Sequence, residues 1–149
     1  MEMVRREGFP VTGVTVRTSN SAEMQPQTAK IGGLWQEFSR QLAQRGITPA
    51  AVYGVYNNFE SDERGAYDIT VAAGDDPALP FAERRVIPAG WYLRFAKVGP
   101  QPQTTIALWQ EIWRYFADGE APKRNFVCDY EEYIERDTVA IFIGIEEGI

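Results

Sequence analysis

The chain has 149 residues, 44% apolar and 13% aromatic, which is enough for one folded domain over 1–149 with a real core and too apolar for disorder. Fifteen basic residues face twenty-one acidic ones, a net charge of −6 with no basic run, so direct nucleic-acid binding is not expected; a cationic ligand or a basic patch on a protein partner suits the charge better. With no histidine and Cys128 as the one cysteine, Ser-His-Asp and Cys-His chemistry, imidazole or thiolate metal sites and internal disulfides are excluded, and neither metal nor cofactor is expected.

The N-terminal MEMVRREGFPV carries charges with no apolar run behind them, so no signal peptide is expected and the cytoplasm is the expected compartment. From Gly13 to Arg17, Val14 and Val16 alternate with Thr15 and Arg17, the pattern of a half-buried strand. Between Ala29 and Arg45, the residues Ile31, Leu34, Trp35, Phe38 and Leu42 recur at helical spacing, and Gly46 follows as a stop. Val52 to Phe59 and Ala66 to Ala73 read as strands joined by a turn with Ser61, Asp62 and Gly65. Gly74 to Glu83 is a Pro- and Gly-containing acidic linker. Val86 to Lys97 reads as one strand. Thr104 to Ala117 is a helix with Ile106, Leu108, Trp109, Ile112, Trp113 and Phe116 at its apolar positions, ended by Asp118-Gly119. Asn125 to Ile134 and Val139 to Ile145 are the last strands. Even this final apolar run falls far short of the roughly 20 residues that cross a bilayer, so no membrane contact is expected.

Two segments nearly coincide. LWQEFSR at 34–40 and LWQEIWR at 108–114 share five of seven positions at an offset of 74. The same offset sets Val52–Phe59 on Phe126–Tyr133, and Tyr56 on Tyr130. PVTGVTVR (10–17) follows PAGWYLRF (88–95) with Gly13 on Gly90, and YDITVAAG (67–74) follows DTVAIFIG (137–144) at an offset of 70. Four matches in one order predict an α+β fold made of duplicated βαββ units, about 1–74 and 75–149. Two such units pair about a pseudo-twofold axis, with an antiparallel sheet and both helices on one side. A ligand cleft is then expected on the other sheet surface or between the units, and Trp35 should superpose on Trp109.

Within that order, IPAGWYLRFAKVG (87–99), the helix LWQEIWRYF and the strand DYEEY (129–133) followed by VAIFIGI resemble the GyrI-like domain, also called the effector-binding domain of bacterial transcription activators. The resemblance implies a central cleft that takes lipophilic, often cationic drugs or metabolites among aromatic side chains, with a carboxylate as partner. It implies a sensor or sequestering role, in some members within transcription regulation. One branch modulates DNA gyrase, and another hydrolyses reactive DNA-alkylating compounds with a glutamate. The family's E-x-Y pattern falls on Glu131 and Tyr133, its Y-x-x-F segment on Tyr92 and Phe95, and Lys97 is nearest to its basic position. No helix-turn-helix precedes the first predicted strand, so any regulatory role would work through a protein partner, a regulator or gyrase.

Six ligand-binding candidates follow: Glu131, Tyr133, Trp91, Tyr92, Trp113 and Tyr56. By strand period, Asp129, Glu131 and Tyr133 share one face. Phe126, Cys128 and Tyr130 share the other, which reads as the helix-covered core, so Glu131 is expected to point away from the helices. Trp91 and Phe95 share a face and Tyr92 takes the other; each aromatic reads either as core or as a ligand contact. Trp35 and Trp109 read as helix-to-sheet anchors. Trp113 stands where the first unit has Ser39, an asymmetry that packing common to both units would not produce. Tyr56 shares with Tyr130 a reading as core, and with the family a place in the cleft. A non-enzymatic binding module is the leading reading. The alternatives are a hydrolase in which Glu131 steers water and a protein–protein modulator.

Overall fold

The computed structural model describes residues 1–134 and 137–146. Eight strands, β1 (Glu2–Arg6), β2 (Phe9–Ser19), β3 (Val52–Asn57), β4 (Ala66–Gly74), β5 (Glu83–Ile87), β6 (Gly90–Val98), β7 (Arg124–Tyr133) and β8 (Thr138–Ile145), form one antiparallel sheet. Among the described residues, three helices accompany them: α1 (Asn20–Glu23), α2 (Ile31–Gln44) and α3 (Gln103–Phe116). The sheet order is β1-β6-β8-β7-β3-β4-β2-β5. Exchanging β1 to β4 for β5 to β8 and reading from the other edge returns the same order. The centre of the sheet is therefore the β3–β7 pair, one strand from each half.

Three elements differ from the sequence expectation: α1, which was not anticipated, and β1 and β5, which give each half two strands before its long helix where the βαββ reading had one. β1 was not anticipated, because EMVRR has no alternating apolar face; it is an edge strand on β6 whose charges discourage further pairing. Val86–Lys97 is not one strand but parts of two. β5 pairs with β2 and β6 with β1 and β8, on opposite flanks of the sheet. Pro88 lies at the break, where it has no N–H to continue a ladder.

Both long helices lie on one face. Leu34, Phe38 and Leu42 of α2 pack on Tyr67, Ile69, Val71 and Ala73 of β4. Leu108 and Ile112 of α3 pack on Leu93, Phe95, Val139, Ile141, Ile143 and Ile145. Each such buried aliphatic side chain contributes about 1.5–3 kcal/mol. The opposite face carries its own cluster around Tyr92, Tyr130 and Phe142. Phe9 on β2 and Tyr130 on β7 are three strands apart, about 14 Å in a flat sheet, yet their ring centroids are 5.9 Å apart. The sheet therefore curls over this face and closes it without a helix.

The faces of β7 are the reverse of the sequence expectation. Tyr130 and Cys128 are buried on the curled face, while Asp129, Glu131 and Tyr133 point to the helices. The expectation took the more apolar row for the helix side, but the curled face has an aromatic core of its own, and the strand also carries a register shift between Arg124 and Asp129, with Phe126 at a φ of 52°. Between the pairs Arg124–Ile145 and Asp129–Ile143, β7 advances three residues more than β8, and an odd excess turns the side chains that follow to the other face, so the offset that sets Tyr56 on Tyr130 does not keep them on one face. Among the described residues, no helix is long and apolar enough to cross a membrane.

Candidate functional site

Glu131 stands at the centre of the sheet, directly across from Gly54 on β3. A Cβ at Gly54 would lie 2.7 Å from Glu131 Oε1, so the glycine makes room for the carboxylate. Glu131 is only 4% exposed. Its Oε2 accepts from Tyr56 Oη at 2.7 Å and from Trp109 Nε1 at 2.8 Å, and its Oε1 accepts from Tyr133 Oη at 2.8 Å. Thr105 Oγ1 lies 3.1 Å from Tyr133 Oη. Every donor is neutral, and among the described residues no lysine or arginine pairs with Glu131. Burial raises its carboxyl above the usual range, against the opposing pull of Trp109, Tyr56 and Tyr133. Burial and the charge of Glu131 push the Tyr56 and Tyr133 phenols up, which keeps both protonated as donors.

Above this carboxylate, a cavity of about 1070 Å³ opens between α2 and α3. Trp35 from α2 and Trp109 and Trp113 from α3 form facing walls, with Tyr56 and Tyr67 on the floor. Trp109 meets Tyr56 edge-on at 5.3 Å, and Trp35 meets Tyr133 at 5.5 Å and 90°. Met24, Ile106 and Trp113 are lining residues that remain exposed, an apolar rim. An anion set among aromatic faces, with water thinned out, attracts a large lipophilic cation through both charge and ring quadrupoles. Among the described residues, no three His, Cys, Asp or Glu side chains converge as metal ligands would.

Trp109→Phe keeps an aromatic wall but removes one donor to Glu131. The variant is expected to lose about 1–3 kcal/mol of stability, since a buried carboxylate loses a partner. Urea unfolding checks this; an unchanged midpoint would mean that the indole bond is not formed in solution.

The model of the GyrI-like small molecule binding domain matches residues 1–141. The chain belongs to the GyrI-like family. Among solved structures, this GyrI-like domain is similar to an integron cassette protein from the mobile metagenome of Vibrio cholerae, at 38% identity and a TM-score of 0.89, over 97% of this chain and 95% of that one. It also shares its fold with SAV2435 bound to tetraphenylphosphonium, at 16% identity and a TM-score of 0.73, over 98% of this chain and 93% of that one. No match was found among curated proteins.

Of the six candidates, the GyrI-like cavity brings together Glu131, Tyr133, Trp113 and Tyr56. Tyr92 lies on the curled face edge-on to the stacked Tyr130 and Phe142 rings, its hydroxyl donating to the Pro88 carbonyl at 2.6 Å. Trp91 packs beside the Leu93–Phe95 cluster, outside the cavity wall. Trp35 and Trp109, read as anchors, stand in the wall itself. Trp35, Trp109, Tyr67 and Gly54 are parts of the site that the sequence reading missed. One signal was present for Trp109: a buried indole N–H needs an acceptor, and an apolar sheet offers few.

Proposed function

We propose that the cavity binds lipophilic organic cations and that Glu131 is their charge partner. The observation that carries this reading is the buried carboxylate, held by three neutral donors and facing an aromatic cavity with no protein cation against it. The tetraphenylphosphonium bound by SAV2435, a protein of the same fold, is a ligand of this kind and supports the choice. The chain acts as one binding domain made of two related halves, each with two strands before its long helix and two after it, in the cytoplasm. It works without catalysis, as a sensor or sequestering protein.

The test compares tetraphenylphosphonium with triphenylphosphine oxide, a neutral triaryl of similar bulk. Both are titrated into the protein while the fluorescence of the cavity tryptophans is followed. The cation is expected to bind at least about tenfold tighter, because a charge-assisted contact is worth about 1.5–3 kcal/mol and about 1.4 kcal/mol is tenfold. Equal affinities would remove Glu131 as a charge partner. Conversion of a bound compound to product, lost in Glu131→Gln, would instead favour the hydrolase reading.

A further inference from the structure

A chain of hydroxyl groups runs from Glu131 to the start of α3. Glu131 Oε1 lies 2.8 Å from Tyr133 Oη, Tyr133 Oη lies 3.1 Å from Thr105 Oγ1, and Thr105 Oγ1 donates to Gln101 Oε1 at 2.7 Å. The last direction is fixed. The Thr105 amide also donates to Gln101 Oε1, at 3.2 Å, so that atom is the side-chain oxygen and only accepts. With its hydrogen given to Gln101, Thr105 has only lone pairs to offer Tyr133. Tyr133 has one hydrogen and two oxygen neighbours. When Glu131 is ionised, Tyr133 donates to it, and Tyr133 Oη and Thr105 Oγ1 face each other with no hydrogen between them. When Glu131 Oε1 carries a proton, the carboxyl donates to Tyr133, Tyr133 to Thr105 and Thr105 to Gln101. Each of the three oxygen pairs then holds one hydrogen. The other oxygen suits the same state: Oε2 accepts from both Tyr56 and Trp109, as a carbonyl oxygen does, and leaves Oε1 to carry the hydrogen.

Resting on the cation reading above, we infer that the empty site holds a proton on Glu131 Oε1 and that binding is an exchange, in which one lipophilic cation enters and that proton leaves for solvent. The Glu131 O–H bond breaks, its electron pair stays on Oε1, and the Tyr133 hydroxyl turns from Thr105 to the new carboxylate. Thr105 is a positioning residue that acts through Tyr133, giving its hydrogen an acceptor while Glu131 is neutral. A site of this kind carries no unbalanced buried charge until the cation arrives. Burial favours the same form, holding the Glu131 carboxyl above its usual range. Besides the tyrosines, the titratable or charged side chains bordering the cavity are Glu23, Glu63, Asp129 and Arg124, and α2 and α3 bring none. Asp129 is held by Arg124 and the Gly144 amide. Glu23 accepts from the Thr18 hydroxyl and the Lys30 and Ile31 amides, and Glu63 is exposed. Of these carboxyls, Glu131 is the one that meets tyrosine hydroxyls among the described residues.

The experiment titrates tetraphenylphosphonium into the full chain in a calorimeter, at several pH values from about 5 to about 8, each in two buffers of different ionisation enthalpy. The dependence of the heat on the buffer gives the protons released per cation bound. In the wild type the release is expected to approach one on the acid side of the Glu131 titration and to fall toward zero above it. Glu131→Gln should lose this release. Thr105→Val keeps the shape of the wall and removes the hydroxyl, so a neutral Glu131 leaves the Tyr133 hydrogen without an acceptor. The proton is then held less tightly, and the release should move down by about one pH unit, the scale of one buried hydrogen bond. At the acid end this variant should therefore bind the cation up to about tenfold tighter than the wild type, and at the alkaline end equally. Thr105→Ser should restore the wild-type curve. If circular dichroism shows the valine variant unfolded, the wild-type and Glu131→Gln releases decide. Binding with no proton release at any pH, or a release unmoved in folded Thr105→Val, would overturn the exchange and leave the cation reading standing. Failure of tetraphenylphosphonium to bind the wild type at any pH would overturn the cation reading itself, and the exchange with it.

Discussion

Glu131→Gln is expected to weaken tetraphenylphosphonium binding by about ten- to a hundredfold while leaving triphenylphosphine oxide nearly unaffected. Glutamine keeps the size of the side chain and one acceptor oxygen, so the aromatic walls stay in place and only the charge goes. The same carboxylate sets a pH dependence. Burial holds its folded-state value above the usual 4.5, so cation affinity should fall on acidification with a midpoint above that value. Stability runs the other way. The folded protein holds this proton more tightly than the unfolded chain does, so the contribution of Glu131 is present below the unfolded value and is lost as pH rises through the folded one. The empty site thus becomes less stable over the same pH range in which it becomes a better cation trap. Asp129, on the same strand face, is also raised by burial, with Arg124 and the Gly144 amide opposing. The glutamine variant separates the two groups, because only the part of each curve that belongs to Glu131 flattens. Binding and melting curves of both proteins across the acid range check this. Curves of equal slope in both would assign the titration to another group.

How much of this was legible in the sequence depends on the element. The stripes Leu34–Phe38–Leu42 and Leu108–Ile112 follow from the helical period, and they fix both the helices and the faces they bury. The alternation in β4 likewise places Ile69 and Val71 under the helices, whereas β8 is apolar and buried on both faces and alternation does not assign its sides. β7 could not be placed by the same reasoning. Its register shift lies between Arg124 and Asp129, where Asn125-Phe126-Val127 contains neither glycine nor proline to announce an irregularity. The consequence is large, because the parity of one strand decides whether Glu131 meets Trp109 across the cavity or looks out from the other face. β1 and the break at Pro88 were hidden for a different reason. Edge strands gain their place from a neighbour, and EMVRR and ERRVI carry charges where an internal strand would alternate. Tyr56 and Tyr130 show the limit of likeness between the halves. They align by sequence offset, yet one donates to Glu131 and the other stacks on Phe142 at 4.6 Å on the opposite face.

A single methyl group at Gly13 is expected to destabilise the fold by about 3 kcal/mol or more, at the upper end of overpacking effects. Gly13 lies on β2, paired with Ala72 of β4 on one side and Glu83 of β5 on the other. A Cβ there would stand 1.9 Å from the Val71 carbonyl oxygen and 2.6 Å from Ala72 Cα. Both are backbone atoms, so no rotamer change relieves the clash. β2 cannot retreat without opening its pairs with both neighbours, and β4 is pinned from above by α2 through Ile69 and Val71. The requirement is for space, since the backbone at Gly13 is not among the positive-φ positions. Gly33→Ala supplies the contrast. Gly33 is an exposed residue of α2, and a Cβ on it meets nothing within 4 Å. There the alanine should stabilise by about 0.5–1 kcal/mol, by restricting the unfolded chain and favouring the helix. Urea unfolding of the two variants reads both effects, because with a slope of about 1–3 kcal/mol per molar the glycine-13 variant should move by about one molar or more. A Gly13→Ala protein that unfolds with the wild type would mean that β2 and β4 do not approach so closely in solution, and the centre of the N-terminal half would have to be rebuilt.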